Sequence, residues 1–222
     1  MYQLLTGPLL WASILICVVG LAVRAVLYVR GLDALADRVA YTAYPVHGLK
    51  GAARSILFWL LPFGTRSWRV KPGFTLIFFA FHAALVIVPL FLMGHAMVLG
   101  IDGFWPTLPM PVADTLTLAT LVAAVFVALR RIGLPEVRIL TTATDWLILA
   151  IAVVPVLSGF LAVHRVGDYD FWLTTHILSG EICLVAIPFT KLYHVIGFFL
   201  SRAQLGMDFG IKRGGKKKNF AW

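Results

Sequence analysis

The sequence predicts an all-α integral membrane protein, a bundle of five transmembrane helices with the N-terminus outside and the C-terminus in the cytoplasm. Three observations carry that reading. The 222 residues are 60% hydrophobic and only 13% charged, with a mean hydropathy of +0.91. Several uninterrupted apolar runs reach the roughly 20 residues that cross the hydrocarbon of a bilayer, where helices satisfy their own backbone. The lysines and arginines are also distributed unequally among the segments that connect those runs.

The spans are expected at about 9–29, 75–99, 112–129, 145–163 and 172–200, within a membrane domain of residues 1–202. The opening MYQLLTGPLLW lacks a basic n-region, so the first run is expected to stay as a membrane helix. The connection 30–73 holds an amphipathic segment, 48–63, whose Ile56, Leu57, Trp59, Leu60 and Leu61 are suited to the inner interface. Eight Lys/Arg lie between Arg24 and Lys71, and Arg130, Arg131 and Arg138 lie in the third connection. The second and fourth connections hold only Arg165 against Asp102, Asp114, Asp168 and Asp170. The positive-inside rule then sets the orientation. The net charge of +9 is a topology signal, and nucleic acid is not an expected partner. Residues 203–222 form a basic cytoplasmic tail ending GGKKKNFAW, suited to anionic headgroups or to a docking partner. Cys17 and Cys183 both fall inside spans, where packing is their ordinary role. There is no CxxCH motif for covalent haem and no cysteine cluster for iron–sulfur.

Two spans carry paired histidines: His82 and His95 in the second, His176 and His194 in the fifth. On a continuous helix the 18-residue spacing of the second pair is about five turns, placing both on one face about 27 Å apart. With the expected orientation the antiparallel helices match His95 with His176 near the outer side and His82 with His194 near the inner side. Such pairs suit two haem b groups, because two neutral imidazoles saturate the iron and make it an electron carrier. The 13 residues between His82 and His95 turn them off one face, and Pro89 between them is placed to kink the helix. Gly94, Ser179, Gly180 and Gly197 would let a porphyrin edge approach, although small residues also serve close helix packing.

Other polar residues stand nearby. His164, Arg165 and Asp168 in AVHRVGDYD could meet haem propionates or a quinone headgroup, or form an ordinary polar loop. Lys191 is placed to snorkel to the inner interface or to meet a propionate. Glu181 lies deeper, as a candidate for proton coupling or for tuning the outer haem. His47 reads as a surface residue.

The topology and the histidine pattern resemble the cytochrome b (gamma) subunit of respiratory nitrate reductase and its relatives. The HILSGE and PFTKLYH flanks, with LTGPLLWAS, WLLPFGTRSW and VRILTT, are more similar to the membrane cytochrome b subunits of sulfate reducers' transmembrane redox complexes, built on high-molecular-mass or tetrahaem cytochrome c. The resemblance implies two haem b groups, His95/His176 binding the outer and His82/His194 the inner, in the bacterial inner membrane. It also implies a periplasmic multihaem cytochrome c, a cytoplasmic iron–sulfur protein related to heterodisulfide reductase, and other membrane subunits.

The leading expectation is therefore an electron-transfer subunit of anaerobic respiration that performs no substrate chemistry itself. A second expectation adds exchange with menaquinone at a haem edge. A zinc-type transporter fits poorly, because such sites gather three or four ligands within a few ångströms.

Overall fold

In hydrocarbon a long apolar run folds as a helix because every N–H then finds a carbonyl within the run. The computed structural model describes residues 2–32 and 45–212, and these contain no strand. Among them, five helices are long and apolar enough to cross a membrane: α1 (Tyr2–Leu32), α4 (Pro72–Phe91), α6 (Met110–Gly133), α8 (Ala143–Val163) and α9 (Tyr169–Phe189). Between α1 and α4 come α2 (Pro45–Leu60) and the short α3 (Arg66–Arg69). The short α5 (Met93–Leu99) follows α4, and α7 (Pro135–Arg138) follows α6. A 3₁₀ turn, Lys191–Tyr193, leads from α9 into α10 (His194–Lys212).

Two of the expected spans are broken. The run 75–99 is not one kinked helix: α4 ends, Leu92 adopts an extended conformation (φ −77°, ψ 130°), and α5 begins anew. The run 172–200 is likewise divided. Pro188 withholds its N–H from the helix ladder, Thr190 is extended (φ −122°, ψ −173°), and the chain restarts through the 3₁₀ turn. His176 and His194 therefore do not share a helix, and the five-turn spacing loses its meaning. α10 continues to Lys212, so the first part of the expected tail is helical; the remainder, including Arg213 and Lys216 to Lys218, lies outside the described residues.

The chain forms two compact units: the chain through Leu15 with Leu76–Val185, and Ile16–Thr75 with the chain from Ala186. In the first unit α6 and α8 pack against each other through small residues, Ala113, Thr117, Thr120, Ala123 and Ala124 on one and Ala152, Ser158 and Ala162 on the other. Small faces let helix backbones approach, which is how helices associate where lipid removes the hydrophobic drive. α8 starts at a reciprocal cap in which the Thr142 N–H donates to Asp145 Oδ2 at 2.9 Å.

In the second unit α2 packs along α10. The buried side of α2 is Gly48, Gly51, Ala52 and Ser55, a stripe at helical spacing, while Leu57, Leu60 and Leu61 are left exposed as an apolar face for the membrane interface. At the crossing a Cβ on Gly206 would collide with the Gly51 carbonyl oxygen. Higher along α10, Arg202 Nε and Nη2 donate to the fully buried Ser55 Oγ at 3.1 and 3.0 Å, and the guanidinium lies 4.7 Å over the Trp59 ring. Tyr28 donates to Gln204 Oε1 and ties α1 to α10, and Gly20 seats Pro188 so closely that a Cβ would lie 2.7 Å from it.

Gly206→Val is expected to force α2 and α10 apart at a cost of about 1–3 kcal/mol. Thermal unfolding of the detergent-solubilised protein should show a lowered midpoint, whereas Gly73→Ala, with open space around it, should leave the midpoint unchanged.

Candidate functional site

The break after α4 takes the ladder donors from Pro89, Leu90 and Phe91 O, each of which finds another, while Val88 O keeps its own. Leu92 N–H bonds Val88 O at 3.0 Å, and Leu108 N–H bonds Phe91 O at 2.8 Å. Trp105 Nε1 donates to Leu90 O at 2.8 Å while its ring stacks on Phe91. The carbonyl that remains, Pro89 O, takes the Nδ1–H of His95 at 2.8 Å. α5 is closed behind His95 by Gly100, whose positive φ of 69° suits a left-handed helix end.

His176, on α9, donates its Nδ1–H to Pro155 O on α8 at 2.8 Å. The imidazole fits against α8 because residue 159 is glycine: a Cβ there would lie 2.7 Å from His176 Nδ1. A carbonyl oxygen only accepts, so Nδ1 carries a proton in both rings, and as neutral imidazoles both present Nε2 lone pairs. These two nitrogens face each other at 3.4 Å. The rings are parallel within 4° with centres 5.7 Å apart. The centres are thus farther apart than the nitrogens by about two ring radii, which sets the imidazoles end to end along one line.

Two lone pairs aimed at each other repel unless a cation stands between them. A metal–imidazole bond of about 2.0 Å places two opposed nitrogens about 4 Å apart, so a side-chain shift of about half an ångström admits one. Among the described residues no group of three or more His, Cys, Asp or Glu is gathered to hold a metal ion alone. A tetrahedral zinc site is therefore not built here. A macrocycle that brings its own four equatorial nitrogens needs only the axial pair, and the donor set fits haem. Gly94 and Gly180, flanking the ligand positions, face open space.

The remaining candidates are placed as follows. His82, on α4, donates Nδ1–H to Phe78 O at 2.8 Å, and its ring lies 4.1 Å from that of Phe78. His194, in the other unit, donates Nδ1–H to Lys191 O at 2.8 Å. Lys191 opens the 3₁₀ turn and is exposed. His47 is exposed, as expected, and Cys17 is buried as a packing residue. Gly197 does not face a cofactor edge: a Cβ there would strike the Tyr193 ring at 2.6 Å.

The cluster His164, Arg165 and Asp168 is dispersed. Asp168 Oδ1 accepts from the N–H groups of Asp170 and Phe171 and so caps α9. Arg165 has a positive φ of 50°, and its guanidinium lies 6.0 Å from the Tyr169 ring centre. His164 pairs with Asp114 across the helix ends, Nε2 to Oδ1 at 3.1 Å. Asp114 had no signal in the sequence beyond its charge. Gly159 and the carbonyls of Pro89 and Pro155 had none at all, because a backbone acceptor is invisible to residue type. Glu181 is 6% exposed, and neither of its oxygens has a hydrogen-bond partner among the described residues.

Gly159→Ala should push His176 off its carbonyl and lower stability by about 1–3 kcal/mol through overpacking. Gly31→Ala, in open space near the end of α1, should leave stability unchanged. A lowered unfolding midpoint in the first variant and none in the second checks this.

No family model matches the chain, and no solved structure matches it. The sequence is 55% identical over 226 residues to a protein of Nitratidesulfovibrio vulgaris strain Hildenborough, and the alignment covers 100% of both chains. Identity at that level over the full length places the two proteins in one family, to which this chain belongs.

Proposed function

We propose that this chain is the dihaem cytochrome b subunit of a membrane-bound respiratory redox complex, with His95 and His176 as the axial pair of one haem b. The supporting observation is the opposed Nε2 pair, 3.4 Å apart, with both Nδ1 protons committed to backbone carbonyls. Those carbonyl bonds fix the ring planes and make each Nε2 a better donor. A haem held by two imidazoles supplies reversible one-electron transfer and has no open position for a substrate. His82 and His194, each with Nδ1 on a carbonyl, are the proposed ligands of the second haem b, on the strength of the sequence pattern. The positive-inside charge pattern supports His95 and His176 as the outer site. The partners proposed from the resemblance are a periplasmic multihaem cytochrome c and a cytoplasmic iron–sulfur protein, in the bacterial cytoplasmic membrane.

Haem extraction from the purified complex should give two haem b per chain. His176→Ala and His95→Ala should each leave one, and the double variant should also leave one rather than none. A complex without iron porphyrin, or one whose haem content ignores both substitutions, overturns the reading.

A second reading is exchange of electrons with menaquinone at the helix ends where His164 meets Asp114. The pair is partly exposed, 38% and 28%, and its 3.1 Å contact is the kind of group that passes protons to a quinone oxygen. Asp114→Asn should then slow haem reduction by a menaquinol analogue at least tenfold while the haem content stays unchanged. Stopped-flow absorbance decides it, and equal rates would count against a quinone site here.

A further inference from the structure

Glu181 is the one carboxyl among the described residues that is both buried and without a hydrogen-bond partner. It lies within α9, well inside a membrane-spanning helix, where a carboxylate is stable only against a positive charge. The titratable groups within the helices of its unit are His82 on α4, His95 on α5, and His176 and Cys183 on α9; the other charges of that unit lie near helix ends or in loops. None of these is a hydrogen-bond partner of Glu181, and none is a fixed cation within a helix interior. The unit nevertheless has one place prepared for positive charge, the gap between the His95 and His176 lone pairs. Glu181 follows His176 by five residues, about 7.5 Å along the axis and about 140° around it, so charge acts between them across the helix rather than by contact.

We propose that Glu181 is the buried counter-charge to the cation seated between His95 and His176, ionised while that site is positive and taking up one proton from water when one electron cancels the charge. This rests on the haem reading. The step balances: one electron from the donor partner converts ferric to ferrous iron, the site loses one positive charge, and one proton joins the carboxylate to give the neutral acid. Reoxidation returns the electron to the acceptor partner and the proton to water. At a separation near 15 Å, in a medium of effective dielectric about 20, one charge alters proton affinity about sixfold. The carboxyl would thereby limit the charge stored in hydrocarbon as electrons pass.

The test uses the purified complex, poised electrochemically and followed by infrared difference spectroscopy and by redox titration across pH. Reduction should produce a protonated carboxyl C=O band, and the potential of the haem on His95 and His176 should fall as pH rises. Both effects should vanish in Glu181→Gln and persist in Glu136→Gln, which removes an exposed carboxyl in α7. If Glu181→Gln fails to assemble, Glu181→Asp replaces it and should keep the band at a shifted frequency. A band and pH slope that survive Glu181→Gln, that are absent from the wild type, or that are unshifted in Glu181→Asp overturn the inference. A complex with two b haems and no such proton link overturns this inference alone, whereas one without haem overturns the function on which it rests.

Discussion

A carbonyl oxygen can accept a proton but never supply one, and that asymmetry governs the histidine chemistry of this chain. In His82, His95, His176 and His194 alike, Nδ1 sits 2.8 Å from a backbone carbonyl. Each ring is thereby locked in one tautomer, with its Nε2 lone pair directed away from the backbone. For a packing histidine the choice of tautomer is arbitrary. Four rings that make the same choice, two of them meeting nitrogen to nitrogen, form a consistent set of donors.

The carbonyls that hold these rings come from two sources. His82 and His176 use oxygens of uninterrupted helix, Phe78 O and Pro155 O. His95 sits just beyond the extended Leu92 and uses Pro89 O from before the break, whereas His194 sits beyond the extended Thr190 and uses Lys191 O from the 3₁₀ turn that follows it. A break in hydrocarbon is costly because the freed backbone groups have no water. Here the loss is offset locally. Trp105, Leu108 and His95 take up the carbonyls after α4, and Thr190 both accepts from Leu192 N–H and donates to Ala186 O. The interruption that would destabilise an ordinary span is thus what orients the His95 ring.

The five spans were legible because apolar length is a property of the chain itself, and the helix ends differ from expectation by only a few residues in the third and fourth. The breaks were not. Pro89 and Pro188 announce a weakness, but the extended residues fall at Leu92 and Thr190, where the surrounding donors permit it. The assumption of an uninterrupted fifth helix failed for that reason. The meeting of His95 with His176 needed only that the two lie near the same end of antiparallel helices, so it did not depend on the faulty helical phase. In the polar loop 164–170 sequence proximity does not tell which side chains meet. Asp168 serves the backbone of α9, and the partner of His164 comes from a residue 50 positions away.

The polar side chains within the spans fall into two classes. Hydroxyls are neutralised at once: Thr117, Thr120, Ser158, Thr175 and Ser179 each donate to the carbonyl four residues back. This is the ordinary way a hydroxyl survives burial in a helix, and it makes these residues equivalent to small apolar ones for packing. The histidines and Glu181 behave otherwise. His95 and His176 are satisfied at Nδ1 and exposed to one another at Nε2, and Glu181 is unsatisfied at both oxygens. Since the chain satisfies groups that merely pack, the unsatisfied ones are where the proposed function seats a cation and its counter-charge. Two lone pairs call for a cation, and a buried carboxyl calls for either a proton or that same cation's charge. Opposite demands in one unit of the protein are met together by a single positive centre, which is the physical reason to treat the imidazole pair and the carboxyl as one site.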